Sequence, residues 1–127
     1  MVSVVIPVYN GAKYIEKTIR TILNSTYQNL EIIAVVDGSP DNSLAVCQKL
    51  SQEDARVKTF YKDNGGIPDA RNYGIERATG EYICVCDQDD LVQPAMYEHM
   101  VERLDAEKAD LCFLQYRSDG QWQRGPI

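Results

Sequence analysis

The chain has 127 residues, of which 44% are hydrophobic and 25% charged, and its formal net charge is −6. This length suits one domain, and the composition is that of a soluble globular protein with enough apolar residues for a core. The acidic balance argues against a broad nucleic-acid-binding face, because neutralising phosphates requires a surplus of Lys and Arg.

The first part of the chain predicts two strands, each followed by a helix. Val2–Val8 is β-branched and predicts a strand, and Asn10 is placed to cap the amphipathic helix that follows. The stripe of this helix comprises Tyr14, Ile15, Thr18, Ile19, Ile22 and Leu23. Glu31–Val36 predicts a second strand, covered on both faces because it is almost continuously apolar. Asp41 or Asn42 can cap the second helix, whose stripe comprises Leu44, Cys47 and Leu50.

The middle of the chain predicts two further strands with a helix between them. Val57–Tyr61 predicts a short third strand, and a glycine-rich loop follows it. Pro68 fits the first turn of a helix that ends near Gly80. The fourth strand, Glu81–Cys86, looks like the most buried of the chain, yet it runs directly into a cluster of carboxylates.

Pro94 opens a fourth helix, and residues 109–116 predict a fifth strand. The inner face of that helix comprises Tyr97, Met100, Val101 and Leu104. The alternation of strands and helices predicts an α/β fold with a mostly parallel sheet and helices on both faces. We assign this domain to residues 1–116. The tail, 117–127, shows no partner element, and we expect it to be cut from a longer domain.

The cysteines and the apolar runs bear on the compartment. Cysteines occur at positions 47, 84, 86 and 112, a spacing that matches neither a disulfide framework nor a zinc ribbon. We interpret them as small buried residues in a reducing compartment, with a metal or redox role as the alternative. The apolar runs are too short to span a bilayer, and the N-terminus lacks the basic segment of a signal peptide. We therefore expect a cytoplasmic location, including the cytoplasmic face of the membrane.

Polar clusters follow each of the first four predicted strands. They are YNG, DGSPD, KDNGG and DQDD, in chain order. In an open parallel sheet, ligands bind beyond the carboxyl ends of the strands. The sequence therefore predicts the functional site at this edge of the sheet.

Three of these clusters have a simple turn interpretation beside a functional one. Asp37 belongs to an Asx- and Gly-rich turn, but its carboxylate could also accept a hydrogen bond from a ligand. The Gly65–Gly66 pair interrupts regular secondary structure, but its amides, together with Arg71 in the next helix, could hold an anion. Tyr9 either caps the core or contacts a ligand.

The fourth cluster is harder to explain as a turn. Asp87, Asp89 and Asp90 repel one another unless a cation lies among them. Mg²⁺ and Mn²⁺ prefer oxygen ligands, and Mg²⁺ is usually held by one or two carboxylates plus substrate phosphates. Zinc is disfavoured because His99 is the only histidine. The cluster therefore predicts a divalent metal and diphosphate site.

Other nucleotide-binding classes lack their motifs here. No G-x-G-x-x-G follows the first strand, and no GxxxxGK[ST] loop occurs, which disfavours NAD enzymes and P-loop ATPases. A phosphoacceptor receiver domain also ends its strands in acids, but the Lys expected after its fifth strand is replaced by Arg117.

The stretch from Val2 to about Tyr97 resembles the family 2 nucleotide-sugar glycosyltransferases. The resemblance is carried, in order, by VSVVIPVYNG, DGSPDNS, DNGGIPDARNYGIERATGEYI and DQDD. It implies the GT-A fold, with a Rossmann-like nucleotide-binding half. It also implies metal-assisted transfer, with inversion, of a sugar from a nucleotide-diphosphate donor, expected to be a UDP-sugar. The implied acceptor is a saccharide or lipid-linked saccharide, as in polysaccharide and cell-envelope biosynthesis.

The resemblance implies a role for each matching residue. Pro7 and Tyr9 would flank the nucleotide base, with Tyr9 stacked on it, and Asp37 would bond the base edge. The Gly65–Gly66 loop and Arg71 would lie near the base and diphosphate. In the fourth cluster, the resemblance places Asp87 near the ribose and makes Asp89 the ligand of Mg²⁺ or Mn²⁺, while Asp90 keeps an open role.

The chain departs from the family pattern at two points. Val36 replaces the first of two acids that the family often has before GS, which leaves open any ribose or helper role of that acid. The catalytic base of the family and its acceptor-binding region have no match before Ile127. We therefore expect donor binding with little or no transfer. The alternatives are a non-catalytic nucleotide-binding or interaction module and, against the order of the motifs, a nucleotidyltransferase.

Overall fold

The computed structural model describes residues 1–108, together with the backbone of 115–118 and 121–124. Strands and helices alternate through the first four strands, as the sequence predicts. The elements are β1 (Val2–Val8), α1 (Ile15–Leu23), β2 (Leu30–Asp37), α2 (Ser43–Glu53), β3 (Val57–Lys62), α3 (Ile67–Arg77), β4 (Tyr82–Val85), α4 (Met96–Glu107), β5 (Gln115–Ser118) and β6 (Gln121–Arg124). None of the described helices is both long and apolar enough to cross a membrane.

The first four strands form one parallel sheet in the order β3-β2-β1-β4. Each connection between parallel strands contains a helix, as a crossover between parallel strands requires. The chain first winds outwards from β1 to β3 and then returns to the other side of β1 with β4. The predicted α/β fold with a mostly parallel sheet is confirmed.

Helices cover both faces of this sheet. On one face, α1, α2 and α4 pack on alternate residues of β1 and β2, and the buried helix residues there comprise Ile15, Ile19, Ile22, Cys47, Leu50 and Tyr97. On the other face, α3 packs through Ala70 on Val5, Ile33 and Val35. All residues of β1 and β2 are buried, which confirms the prediction that β2 is covered on both sides.

The expectation that the fourth strand is the most buried is wrong. β4 lies at one edge of the four-stranded sheet. Ile83 and Val85 are 47% and 40% exposed, whereas Cys84 and Cys86 point to the other face, where Cys86 is buried. The apolar composition of β4 cannot reveal this, because it does not say which strands lie on either side. The described cysteines are free and buried or half-buried, as expected, and Cys112 lies outside the described residues.

The structure corrects one predicted helix cap and decides another. Asn10 does not cap α1: the helix begins at Ile15, and the Gly11 carbonyl accepts the N–H groups of Tyr14 and Ile15 at 2.9 Å each. Asn10 instead takes a positive φ of 52° in the preceding turn. At the start of α2, the Asp41 carboxylate rather than the Asn42 side chain accepts the Ser43 N–H, at 3.0 Å.

The C-terminal part of the chain is described only in its backbone. Residues 109–114, most of the predicted fifth strand, lie outside the described residues. Gln115–Ser118 pairs antiparallel with Gln121–Arg124. The expectation that segment 117–127 has no partner element is therefore wrong for these strand residues. The Asp119–Gly120 dipeptide between two short runs is typical of a β-hairpin, and it was the available signal for the pair.

Candidate functional site

A cleft of about 710 Å³ opens at the carboxyl edge of the four-stranded sheet. The residues that line it are Pro7, Val8, Tyr9, Asp37, Asn64, Gly66, Ile67, Arg71, Asp87, Gln88 and Asp89. They come from the carboxyl ends of β1 and β2, from the loops after β1, β3 and β4, and from the first turns of α3. The structure thus brings all four polar clusters of the sequence to one place.

The cleft lies at the topological switch point of the sheet. β1 has β2 on one side and β4 on the other, so the chain leaves β1 and β4 in loops that diverge around a crevice. Such a crevice is where open α/β sheets bind their ligands. The geometry therefore supports a binding site for a small molecule with polar groups.

Asp37, at the end of β2, is buried and holds the glycine-rich loop. Its Oδ1 accepts the Lys62 ammonium and the Gly65 N–H, both at 3.0 Å, and its Oδ2 accepts the Gly66 N–H at 3.1 Å. Burial by itself would raise the pKa of Asp37, but these hydrogen bonds together lower it. The carboxylate is therefore ionised under ordinary conditions, with the loop wrapped around it.

This arrangement answers one question left open by the sequence. The amides of Gly65 and Gly66 do bind an anion, but in the ligand-free chain that anion is the carboxylate of Asp37. Gly66 needs a φ of 94°, which glycine adopts without strain. Gly38 has a φ of 60°, and a Cβ there would lie 2.6 Å from the Asn64 backbone nitrogen. The loops after β2 and β3 thus pack backbone to backbone.

The loop after β1 is braced by the loop after β2. The Asn10 and Gly11 N–H groups donate to the Ser39 and Ser43 hydroxyls at 2.9 and 3.1 Å. Asp41 accepts bonds from both serines and from the backbone that follows Gly11. These bonds outweigh the effect of burial and lower the pKa of Asp41 to about 2. The position of Tyr9 therefore depends on the DGSPDNS segment.

The negative charges of the carboxylates after β4 have few cationic partners among the described residues. Asp87 and Asp89 are exposed, and the Arg71 guanidinium approaches Asp87 at 3.9 Å. Partial burial raises the pKa of Asp90, and the charges of Asp87 and Asp89 raise it further. Within the described residues, the cluster is therefore a concentration of negative charge beside the exposed guanidinium of Arg71.

This donor set fits a divalent cation held partly by a substrate. No group of three His, Cys, Asp or Glu side chains within the described residues is placed to hold an ion by itself. Asp87 and Asp89 do offer carboxylate oxygens with free coordination directions. Mg²⁺ and Mn²⁺ sites built from one or two carboxylates and substrate phosphates need no more than that.

Most residues singled out in the sequence line the cleft. They are Pro7, Tyr9, Asp37, Gly66, Arg71, Asp87 and Asp89. Gly65 acts behind the lining, through its bond to Asp37. The roles assigned to these residues stay predictions.

Sequence reasoning missed four lining residues: Val8, Asn64, Ile67 and Gln88. Asn64 and Gln88 belong to the predicted clusters, but the sequence argument considered only the glycines and acids of those clusters and not the amide side chains. Ile67 follows Gly66 and remains 54% exposed. A large apolar residue between a glycine pair and Pro68 was the available signal.

Comparison with known proteins decides the family. The sequence model of glycosyl transferase family 2 matches residues 3–125, nearly the whole chain. The chain belongs to glycosyl transferase family 2. This extends the stretch of resemblance identified in the sequence beyond Tyr97, through α4 and the β5–β6 pair.

Two curated relatives show how much of a family member this chain covers. The glycosyltransferase GlyG of Streptococcus pneumoniae is 41% identical over 127 residues, which cover 96% of this chain and 42% of GlyG. The uncharacterized glycosyltransferase EpsJ of Bacillus subtilis is 38% identical over 111 residues, covering 87% of this chain and 32% of EpsJ. The chain therefore spans less than half the length of these relatives.

Solved structures share the fold. S. aureus TarS 1–349 in complex with UDP has a TM-score of 0.74 and 24% identity, over 86% of this chain and 33% of that chain. The mannosyltransferase PcManGT from Pyrobaculum calidifontis, in complex with GDP-Man and Mn²⁺, has a TM-score of 0.63 and 26% identity. That match covers 71% of this chain and 28% of PcManGT. The Rossmann-like GT-A fold is thus the fold of this chain.

Proposed function

We propose that this chain binds a nucleotide-diphosphate sugar, with a UDP-sugar as the expected donor, for transfer to a saccharide acceptor. The observation that carries the proposal is the cleft itself. It joins an exposed aromatic ring, Tyr9, an ionised buried carboxylate, Asp37, a cation, Arg71, and the exposed acids Asp87 and Asp89. This combination of groups suits a base, a ribose, a diphosphate and a divalent cation.

The base end of the donor would lie between β1 and the glycine-rich loop. Tyr9 is 42% exposed and offers a face for stacking, and Pro7 lies beside it in the lining. Asp37 Oδ2 accepts one hydrogen bond from the described residues, which leaves it a second acceptor position for a base N–H. A uracil-type edge, which presents an N–H donor, suits this carboxylate.

The diphosphate end would lie between Arg71 and the acidic loop. Asp89, with Asp87 near the ribose, would hold Mg²⁺ or Mn²⁺ against the phosphates. When bound, this cation stabilises the negative charge that develops on the departing nucleoside diphosphate. Arg71 is half exposed and free to turn from Asp87 towards a phosphate. Its guanidinium would then hold the leaving group in place.

Transfer with inversion requires a base that takes the proton of the acceptor hydroxyl as this oxygen attacks the anomeric carbon. The family's base is an acid well beyond the metal motif, and these 127 residues contain no match for it. We propose that they bind donor and turn it over little or not at all. A nucleotide-binding module without transferase activity is the alternative.

Thermal unfolding with ligands tests the donor site. UDP and Mn²⁺ together should raise Tm by roughly 10 °C at about 100 times Kd, because a ligand that binds only the folded state stabilises it. UDP alone or Mn²⁺ alone should raise Tm much less. If UDP, GDP and dTDP with Mn²⁺ all left the Tm of the folded chain unchanged, the donor site would be refuted.

The metal assignment is tested by Asp89→Ala, with Asp63→Ala as the matched control. Asp63 is an exposed carboxylate outside the cleft lining. Its replacement by Ala changes the net charge by the same amount as Asp89→Ala but removes no group from the cleft. Asp89→Ala should abolish the Mn²⁺-dependent part of the Tm increase, and Asp63→Ala should retain it. An Asp89→Ala variant that responds to Mn²⁺ like the parent would move the metal to another residue.

A further inference from the structure

Gln88, the second residue of the DQDD segment, bridges the loops after β1 and β4, two of the segments that line the cleft. Gln88 Oε1 accepts the Tyr9 N–H at 2.8 Å, and Gln88 Nε2 donates to the Tyr9 carbonyl at 2.8 Å. A side-chain amide carries both a donor and an acceptor, so Gln88 pairs with Tyr9 as a neighbouring strand would. This pairing lies beyond the backbone pairing between β1 and β4, whose register ends at Val5 and Val85.

Two further contacts fix this bridge in place. The Gln88 carbonyl accepts the Thr18 hydroxyl at 2.9 Å, and Thr18 is buried on α1. A Cβ at Gly11 would lie 2.4 Å from Gln88 Oε1, so the absence of a side chain at Gly11 makes room for the amide. The loop geometry on both sides is therefore adapted to this glutamine.

We infer that Gln88 is a positioning residue, which sets the spacing between the base platform at Tyr9 and the carboxylates Asp87 and Asp89. The inference rests on the proposed function, because it assumes a donor that contacts both. Asp87 and Asp89 are the chain neighbours of Gln88, so a bond from its side chain to Tyr9 ties the two ends of the site directly.

The energetic consequence follows from linked binding. A nucleoside diphosphate engages the base platform with one end and the metal loop with the other. The second contact forms at a high effective concentration only while the two subsites keep the right separation. Loss of the Gln88 bridge should therefore weaken ligands that span both subsites and spare ligands that occupy only one.

The test measures three ligands on the full chain carrying Gln88→Met, a change that keeps side-chain length but cannot form the two bonds. UDP with Mn²⁺ should bind about tenfold more weakly than to the parent. Uridine alone, and inorganic pyrophosphate with Mn²⁺, should each stay within about twofold. Titration calorimetry well below Tm gives all three Kd values for each protein.

Matched variants make the result specific. Gln93→Met makes the same replacement at an exposed glutamine of the same connection and should leave all three Kd values at parental levels. Gly11→Ala pushes the amide away from Tyr9 from the opposite side and should reproduce the selective loss of UDP affinity. Adding Gln88→Met to the Gly11→Ala variant should weaken UDP binding no further, because both substitutions disrupt the same contact between Gln88 and Tyr9.

The outcomes separate this inference from the proposed function. Unchanged UDP affinity in Gln88→Met, or an equal loss for uridine and pyrophosphate, would overturn the positioning role, the latter because it indicates general loosening of the loops. A parent that binds no nucleoside diphosphate with Mn²⁺ would overturn the proposed function and this inference with it.

Discussion

Glu31 and Asp37 are buried carboxylates at opposite ends of β2, and each is bound by several donors. At the amino end, Glu31 accepts Lys58 Nζ at 2.6 Å, the Ser3 hydroxyl at 2.5 Å and the Thr79 N–H at 2.7 Å. Burial would raise the pKa of Glu31, but these bonds lower it from 4.5 to about 2. Glu31 therefore joins three strands and the α3–β4 connection without facing the cleft.

Replacing this carboxylate should destabilise the fold in a pH-dependent way. Glu31→Gln removes the charge that Lys58 and Thr79 bond, and we expect a loss of roughly 3 kcal/mol in the free energy of unfolding at pH 7. The depressed pKa means that the contribution is complete above pH 4.5 and lost as pH falls towards 2. Urea unfolding of parent and variant between pH 7 and 2.5 should show the difference shrinking over that range.

Glu53→Gln is the matched control for that measurement. Glu53 pairs with Arg20 at 3.0 Å, but both side chains are more than 40% exposed. Exposed pairs contribute less than about 1 kcal/mol, so this variant should unfold near the parental urea concentration. Equal losses of unfolding free energy in the two variants would show that the buried contacts of Glu31 stabilise the fold no more than an exposed ion pair does.

At the level of elements, α3 connects the sheet to the cleft. Its Gly74 packs directly on β1 and β2: a Cβ there would lie 2.4 Å from Val5 Cγ1 and 3.2 Å from Val35 Cγ2. Its first turns carry Ile67 and Arg71 into the cleft lining. The close approach at Gly74 therefore sets how far these side chains lie from Asp87 and Tyr9.

Gly74→Ala should destabilise the chain although alanine favours helices. The forced displacement of α3 costs roughly 1–3 kcal/mol, which exceeds the gain of at most about 1 kcal/mol in helix propensity. UDP binding with Mn²⁺ should weaken as well, because Arg71 moves with the helix. Asn72→Ala, on the exposed side of α3, should be neutral or slightly stabilising in the same urea unfolding assay. A stabilised Gly74→Ala variant would contradict the packing argument.

At the level of the whole molecule, the hydrogen-bonded cluster around Glu31 lies at the amino ends of the strands. The candidate site lies at the carboxyl ends of the same strands. Glu31 and Asp37 are six residues apart on β2, which corresponds to about 20 Å. Asp87, Asp89 and Asp90 repel one another, whereas Glu31, near the amino end of β2, is bonded by several donors. Stability and ligand binding should therefore be separable.

A double variant tests this separation. Glu31→Gln should lower the free energy of unfolding but keep the Kd for UDP with Mn²⁺ within about twofold, measured well below Tm. Asp89→Ala should abolish metal-dependent binding without lowering ligand-free stability, because it relieves repulsion. The unfolding free energies of the double variant should be additive within about 0.5 kcal/mol. A clear deviation would show that the two ends of the sheet are coupled through β2.

The sequence by itself determined the order and type of the elements from β1 to α4, the end of the sheet that carries the polar loops, and the resemblance to the family. Local signals suffice for these features. Residue spacing distinguishes helix from strand, Pro68 marks a helix start, and parallel strands place their carboxyl ends together. Most of the cleft lining followed from the same reasoning, since Tyr9, Asp37 and Asp87 each come directly after a predicted strand.

Only the tertiary structure decided how these parts meet. No local pattern states that β4 lies beside β1, yet this neighbour relation exposes Ile83 and brings Gln88 to Tyr9. Likewise, a backbone carbonyl rather than Asn10 satisfies the start of α1, and the amides of Gly65 and Gly66 bind the chain's own Asp37. Hydrogen-bond partners distant in sequence depend on strand order, which packing of the whole sheet selects.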